Sequence, residues 1–390
     1  MRYLSAGESH GPCLTAIVEG LPAGLTLYSE DINHQLWRRQ QGYGRGARMK
    51  IEKDRVEILS GLRFNKTLGT PLTLQIKNCD WDNWQDIMAP EGSVPSSLET
   101  LSRPRPGHAD LAGGLKYNHE DLRNVLERTS ARETAIRVAV GTVGRLFLEK
   151  FRIQVFSHVI RVGNTYSALD INNLPEKYRT VEESPVRCLD KGLEKAMIEE
   201  IDRAAQEGDS LGGVIELLVT GLPPGLGSYS HPDRRIDALL AGALMGIQAI
   251  KAVEIGAGLS AASIRGSELH DPIVKDTDGR VTRSSNRAGG IEGGVTNGMP
   301  LVIRIAMKPI PTLSKPLASV DWQTGQNVHG ATERSDVCAV PAAAVVAEAV
   351  TAWELAFVFR EKFGGDFMEE IEAAYQYYVD KVEAKLRGKQ

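Results

Sequence analysis

Cysteine is scarce, with four residues in 390, at positions 13, 79, 188 and 338, and no paired spacing among them. That excludes a disulfide framework or a zinc knuckle and suits a reducing compartment. The eight histidines show neither HxxxH nor H-E-x-x-H spacing, so no metal centre is expected. Charge of one sign is not in excess. The formal net charge of −4 gives no global attraction to nucleic acid or to an anionic membrane surface. The opening MRYLSAGESHG lacks an apolar core of signal-peptide length, and no stretch reads as long enough to cross a membrane. A Walker A sequence and a dinucleotide fingerprint are both missing. Glycine is plentiful, 39 residues against an average of roughly 7%, and it gathers in a few loops where function should be sought.

The chain repeats itself. SAGESHGPCLTAIVEGLPAGL from Ser5 returns as QEGDSLGGVIELLVTGLPPGL from Gln206, and Gly7 to Ser29 matches Gly208 to Ser230 at eleven positions without a gap. A fainter echo pairs GLRFNKTLGTPLTLQI from Gly61 with GIEGGVTNGMPLVIRI from Gly290. Each copy reads as a short strand (Leu14 to Glu19; Val214 to Val219), a Gly-Leu-Pro turn, a helix and further strands. Ser29 is expected to cap the first helix, and the second is expected from Asp233 to Ile250. Strands follow at Val56–Leu59, Leu72–Ile76 and Leu301–Ile305. Between the copies, Ser130 and Glu133 form a capping-box pattern ahead of an apolar helix, and another helix runs from Leu193 to Gln206. Pro341 opens an Ala/Val-rich helix too apolar to be exposed, ended by Gly364-Gly365, and Asp366 begins a last amphipathic one. Residues 78–104 and 161–190 read as long loops. The expected fold is α+β: an internally duplicated β-α-β sandwich, two mainly antiparallel sheets enclosing a helical layer, in one domain over 1–390. The pseudo-repeats are placed at 1–80 and 202–312, a helical insert at about 115–207, and C-terminal helices at 341–388.

One difference between the copies matters. Where the first has His10 the second has Leu211, so the local fold does not require an imidazole and Ser9-His10-Gly11 reads as chemical. RRQQGYGRGARMK (38–50) sets four arginines and a lysine among three glycines, letting backbone N–H groups and guanidinium forks close on an anion. In SRPRPGHADLAGGLKY, His108 is followed two residues later by Asp110, which either fixes its tautomer or caps the next segment. In LERTSARET, Arg128, Thr129 and Ser130 meet a helix N-terminus, and Arg132 opposes the helix dipole there, which a nearby phosphate or carboxylate would explain. AGGIEGGVTNG offers paired glycines for close approach, MKPIPTL a rigid segment with Lys308 at its start, and ERSD a cation beside the candidate base Asp336.

Together GESHG, RRQQGYGRGARM, RPGHAD, LERTSARET, GGIEGGVTNG, KPIPTL and ERSD resemble the chorismate synthase family, in its order and near its spacing, from residue 1 to about 360. The resemblance implies a lyase of the shikimate pathway and aromatic amino acid biosynthesis. Such an enzyme eliminates phosphate and a ring hydrogen, anti-1,4, from 5-enolpyruvylshikimate 3-phosphate to give chorismate. It also implies a need for reduced FMN without net redox. By that resemblance His10 is the general acid near the leaving phosphate, His108 protonates or stabilises the reduced flavin, and Asp336 helps flavin N5 accept the ring proton. Substrate anions fall to Ser9, Arg39, Arg45, Arg48, Arg105 and Arg132, with Arg334 near them. The flavin contacts carried over are Arg128, Thr129, Ser130, Gln248, Ala249, Gly293, Lys308, Pro309, Ile310, Pro311, Thr312 and Arg334. Two departures occur: Gln248-Ala249-Ile250-Lys251-Ala252 replaces the family's Asn-Ala-x-Lys-Gly, and Thr129 its serine. The family also implies a cytoplasmic homotetramer. Bifunctional relatives reduce flavin with NADPH through extra sequence; 390 residues leave no room for it, so reduced flavin is expected from an external source. The rival readings are an RNA-binding Arg-Gly loop and another phosphate-eliminating or flavin-dependent enzyme on the same scaffold. The first is disfavoured because few aromatics accompany the arginines beyond Trp37 and Tyr43.

Overall fold

Strand Cys13–Glu19 alternates in burial, sending Leu14, Ala16 and Val18 inward opposite Ile76, Leu74 and Leu72 of strand Leu72–Lys77. This period-two pattern fixes the register, since a one-residue slip would turn the apolar set outward. The computed structural model describes residues 1–46, 53–167, 174–332 and 336–388. The first sheet runs Arg2–Ala6, Cys13–Glu19, Leu72–Lys77, Val56–Ser60, all neighbours antiparallel. The second runs Gln154–Val162, Gly213–Thr220, Leu301–Met307, Ile250–Ile255, also antiparallel, with the two-residue strand Thr165–Tyr166 outside Gln154–Val162. Position for position, each strand of one sheet has its counterpart in the other. The turns agree down to single hydrogen bonds. Thr67 Oγ1 donates to Pro22 O and accepts from Leu25 N–H, while Thr296 Oγ1 donates to Pro223 O and accepts from Leu226 N–H.

Four helices fill the space between the sheets. Ser29–Gln40 and Thr134–Glu149 pack on the first sheet, Ile236–Met245 and Val340–Phe363 on the second. Thr134–Glu149 and Val340–Phe363 approach closely at Gly141, where a Cβ would stand 2.3 Å from Ala349 O, so only glycine fits. The apolar Val340–Phe363 corrects one expectation. At 24 residues and mean hydropathy 1.7 it is long and apolar enough to cross a membrane, yet 89% of its apolar window is buried between the sheets. Within it, buried Glu348 is held by Arg38, Arg145 and Arg187 and by the Ser157 and Tyr178 hydroxyls.

Several boundaries differ from the sequence reading. Tyr28 occupies the N-cap of the first helix without a side-chain hydrogen bond, and Ser29 Oγ turns instead to Glu30. The Ile236 helix stops at Met245, because Gly246 follows and Ala249 adopts φ +66° before strand Ile250–Ile255. Ser130 caps a single 3₁₀ turn, Ala131–Glu133, by accepting from Arg132 N–H. Glu133 does not complete a capping box; its carboxylate takes Ser5, Arg137 and Gln248. A helix, Leu174–Glu183, lies in the stretch read as loop, its Leu174 and Val181 packing with Phe156, Leu218 and Val302 on the outer face of the second sheet. Residues 110–129 also carry two short helices, Asp110–Tyr117 and Arg123–Thr129, that motif reading left unassigned.

Candidate active site

The turn from Gly7 to Gly11 connects the first two strands, and its residues meet the end of helix Arg123–Thr129. Ser9 N–H donates to Glu127 O at 3.0 Å, and Ser9 Oγ to Ser130 Oγ at 3.0 Å. His10 N–H donates to Glu127 Oε2 at 2.8 Å, and His10 Nδ1 lies 2.9 and 3.0 Å from the two Glu127 oxygens. The imidazole stacks on Trp84, with centroids 3.8 Å apart and planes at 20°. Arg123 reaches both groups, 3.5 Å from Glu127 Oε1 and 5.2 Å from the Trp84 ring centre. Arg128 clamps the strand before the turn, donating to Gly7 O and to Ser5 O and Oγ, while the Thr129 hydroxyl donates back to Val125 O within its own helix.

Beside this turn lies a buried charge cluster. Arg132 donates through Nη1 to Asp54 and through Nε to Asn78 Oδ1 at 2.9 Å, and Asn78 in turn holds Gly11 O and Glu8 O. Arg39 reaches the other Asp54 oxygen at 3.4 Å, with Thr134 Oγ1 and Ala131 O as further acceptors. The anion that explains Arg132 against the dipole is thus one of the chain's own, Asp54. Burial, with a neighbouring like charge at Arg132, outweighs Asp54 and brings the Arg39 guanidinium down to about 10. Arg45 extends the cluster, donating to Arg39 O and pairing through Nε with Asp336 at 3.0 Å; Gly46 N–H holds the other Asp336 oxygen at 2.7 Å. Arg48 and Arg334 lie outside the described residues.

The second histidine belongs to a separate cluster. His108 Nδ1 is 2.6 Å from Asp110 Oδ1, and Arg105 Nη2 is 3.0 Å from the same nitrogen. Arg105 itself grips Asp110 through Nε and Nη2 and Thr312 through Nη1. Burial works against the Asp110 charge, but hydrogen bonds from His108 and Arg105 hold its carboxyl well below the usual range. Lys308 Nζ donates to Gly107 O, which ties the Lys308–Thr312 segment to the His108 loop. Pro309 is exposed, Pro311 is half-buried, and Ile310 O accepts from Ser210 Oγ, the repeat counterpart of Ser9.

Backbone and side-chain bonds join these clusters. Gln248 Nε2 donates to Glu133, whose other oxygen takes Ser5 Oγ, and Ala249 O accepts Lys308 N–H at 2.9 Å. Gln248 Oε1 is buried without a hydrogen-bond partner among the described residues. A polar atom in that state calls for a donor. Gly293 stands apart. With Gly294 it makes the two-residue turn between strands Ile291–Glu292 and Val295–Thr296, both glycines at positive φ as such turns demand. That turn meets the start of helix Ile236–Met245 while Gln248 follows its end, one ten-residue helix away, about 15 Å. The paired glycines mostly admit the chain's own backbone: Cβ atoms at Gly289 and Gly290 would meet Gly256 N at 2.3 Å and Pro300 O at 2.6 Å.

Motif reading missed Glu127, Trp84, Asp54 and Asn78, and saw Glu133 only as half of a capping box. Glu127 was inside a motif already singled out, but a glutamate before an arginine reads as a solvated pair. Trp84, Asp54 and Asn78 lie in segments with no periodic or motif signal.

The family model for chorismate synthase matches residues 1–359. A chorismate synthase of Desulforudis audaxviator is 55% identical over 388 residues, covering 100% of each chain. One from Desulforamulus reducens is 56% identical over 386 residues, 98% of this chain and 100% of its own. A crystal structure of chorismate synthase superimposes with TM-score 0.79 at 44% identity, covering 98% of both chains. With a duplicated sandwich of that shape and a match over nearly its whole length, this chain belongs to the chorismate synthase family, carbon–oxygen lyases of the last step of the shikimate pathway.

Proposed function

We propose that the belt of residues from His10 through Asp54 and Gln248 to Arg105 binds 5-enolpyruvylshikimate 3-phosphate together with reduced FMN. The observation that carries the reading is the His10 setting. One ring nitrogen is held by a buried carboxylate, and Nε2 makes no hydrogen bond among the described residues. A histidine so held presents a single defined nitrogen to a ligand. The substrate carries two carboxylates and a phosphate, and Arg45, Arg48, Arg105 and Arg334, with Ser9, are assigned to them. Arg39 and Arg132 share Asp54 and act through the positive field they leave over it.

The residues fit a flavin in one respect beyond family likeness, the orphan acceptor Gln248 Oε1, since a flavin ring offers N–H donors. Gln248, Ala249, Lys308, Pro309, Ile310, Pro311 and Thr312, with Arg128, Thr129, Ser130 and Arg334, would hold it; Gly293 is assigned by resemblance alone. When bound, reduced FMN lends electron density to the allylic system without net redox. The chain's groups do the rest. His10 gives its Nε2 proton to the departing phosphate oxygen. Asp336, oriented by Arg45 and Gly46 N–H, helps take up the ring hydrogen. His108, oriented by Asp110 and set beside Arg105, steadies the reduced ring. A positioned proton donor is worth ~10²–10⁴ in rate. The same reading has the chain act as a cytoplasmic homotetramer fed with reduced flavin from outside.

The test is an anaerobic assay with dithionite-reduced FMN and the enolpyruvyl substrate, following phosphate and chorismate together. Equimolar release of both is expected, and phosphate without chorismate would reject the reading. His10→Ala is expected to lower kcat by about 10²-fold or more with FMN affinity changed far less. An equal loss of flavin affinity would remove His10 from the acid role.

A further inference from the structure

We infer that Glu127 is the positioning residue for His10, keeping a proton on Nδ1 so that Nε2 is the nitrogen that faces the substrate. The inference rests on the acid role proposed for His10. Glu127 is buried, and a buried carboxylate needs partners to offset its desolvation. Its closest partners belong to His10: the backbone N–H on Oε2 at 2.8 Å, and Nδ1 at 2.9 and 3.0 Å from the two oxygens. Arg123, at 3.5 Å, sits at the outer edge of hydrogen-bond range.

A carboxylate only accepts. The proton on this side must therefore be on Nδ1, and Nε2 is left to the ligand. The Trp84 ring, 3.8 Å away, covers one face of the imidazole and holds its plane, and turning the ring over within that plane would break the carboxylate bonds. The second copy of the turn shows what the fold does without this device. Leu211 N–H, the counterpart of His10 N–H, donates to a main-chain carbonyl, Val337 O, at 2.8 Å. A buried carboxylate is not needed to satisfy that amide. It is needed only where an imidazole follows.

The chemical consequence concerns one proton. As Nε2–H breaks and a phosphate O–H forms, the imidazolium becomes a neutral ring that must keep its proton on Nδ1. Glu127 accepts that remaining N–H before and after transfer, so no reorganisation accompanies the step.

Glu127→Gln tests this with a near-isosteric side chain. The glutamine has one acceptor, which the fixed His10 N–H takes, and its NH₂ then faces Nδ1. Two donors cannot share that contact, so the neutral ring moves its proton to Nε2. In ¹⁵N-histidine spectra of the full-length protein, the parent's neutral His10 is expected as the Nδ1–H tautomer and the variant's as Nε2–H. With reduced FMN and substrate, kcat is expected to fall about 10²-fold, the size of a lost positioned acid, with KM changed less than threefold. In a His10→Ala background the same substitution is expected to leave kcat where His10→Ala put it, because coupled residues do not add. A variant that keeps the Nδ1–H tautomer, or a further kcat loss in the His10→Ala background, would overturn the inference. Glu127→Asp, which keeps the acceptor, covers a glutamine variant that fails to fold: retention of Nδ1–H supports the inference, and loss of it counts against. Should His10→Ala be as fast as the parent, the acid role falls while the tautomer result still stands.

Discussion

His10 and Leu211 occupy the same place in two copies of one turn, and the comparison shows how much a single side chain adds. Leu211 is half-buried against the main core rather than sealed in it, and its neighbours across the turn include Gly163. Leu211→His should create no activity, because the amide at this position donates to Val337 O and, among the described residues, has no pairing with a carboxylate such as His10 has with Glu127. It should destabilise the fold by about 1–2 kcal/mol, the scale for burying a polar group with imperfect partners. A urea midpoint equal to the parent's would show that the site is effectively solvent. The cations of the motifs were legible as candidate anion holders, but their internal partners were not. Arg39 and Arg132 looked free for a ligand, and they converge on Asp54, a residue in the unremarkable run EKDRVEIL. Pairings such as Arg132 with Asp54 or His10 with Glu127 span 78 and 117 residues. No spacing rule in one sequence reveals a partner that far away.

At the scale of elements, helix Val340–Phe363 carries three glutamates, two of them with opposite fates. Glu348 is fully enclosed; burial opposes its charge, yet Arg38, Arg187 and Arg145 hold its carboxyl far below the usual range. Its contribution to stability is present above the unfolded value near 4.5 and drains away as pH falls. Glu354, two turns on, lines a cavity of about 180 Å³ with Tyr3, Arg137 and Trp353. Burial pushes its carboxyl up from 4.5 to about 7. Here the sign reverses. Between pH 4.5 and 7 the folded chain keeps a proton the unfolded chain has lost, so stability falls as pH rises through that window. Glu354→Gln should therefore raise stability at pH 8 by an amount of order 2 kcal/mol and leave it unchanged near pH 4. Melting curves at the two pH values decide it, and an equal shift at both would refute the assignment. Helix existence was readable from apolar periodicity, as for Lys191–Glu207 with its Gly208 stop at φ +73°. Helix Leu174–Glu183 was not, because its residues are mostly polar and it is pinned by packing on the second sheet.

For the molecule as a whole, the duplicated sandwich was the most legible feature, since the repeat survives in glycines and prolines that make the same turns twice. The pairing of Thr67 with Thr296 gives a direct test of that equivalence. Each hydroxyl closes its turn by accepting from a leucine N–H and donating to a proline carbonyl. Thr67→Val and Thr296→Val should each destabilise by about 1–3 kcal/mol, the range for leaving a buried backbone group unpaired. The two values should agree within ~0.5 kcal/mol and add in the double variant, as read from denaturant midpoints. A loss at only one of them would mean that the halves share a shape but not its supports.

The placement of the central helix also bears on synthesis. Both sheets are complete by Met307, yet Val340–Phe363, which fills the space between them, is among the last segments to be translated. Nascent chains therefore emerge as two slabs with three of the four helices that lie between them, while the longest, 24 residues, is still missing. Ribosome stalling or early termination before residue 340 should leave a product that chaperones bind and that cannot close on its own.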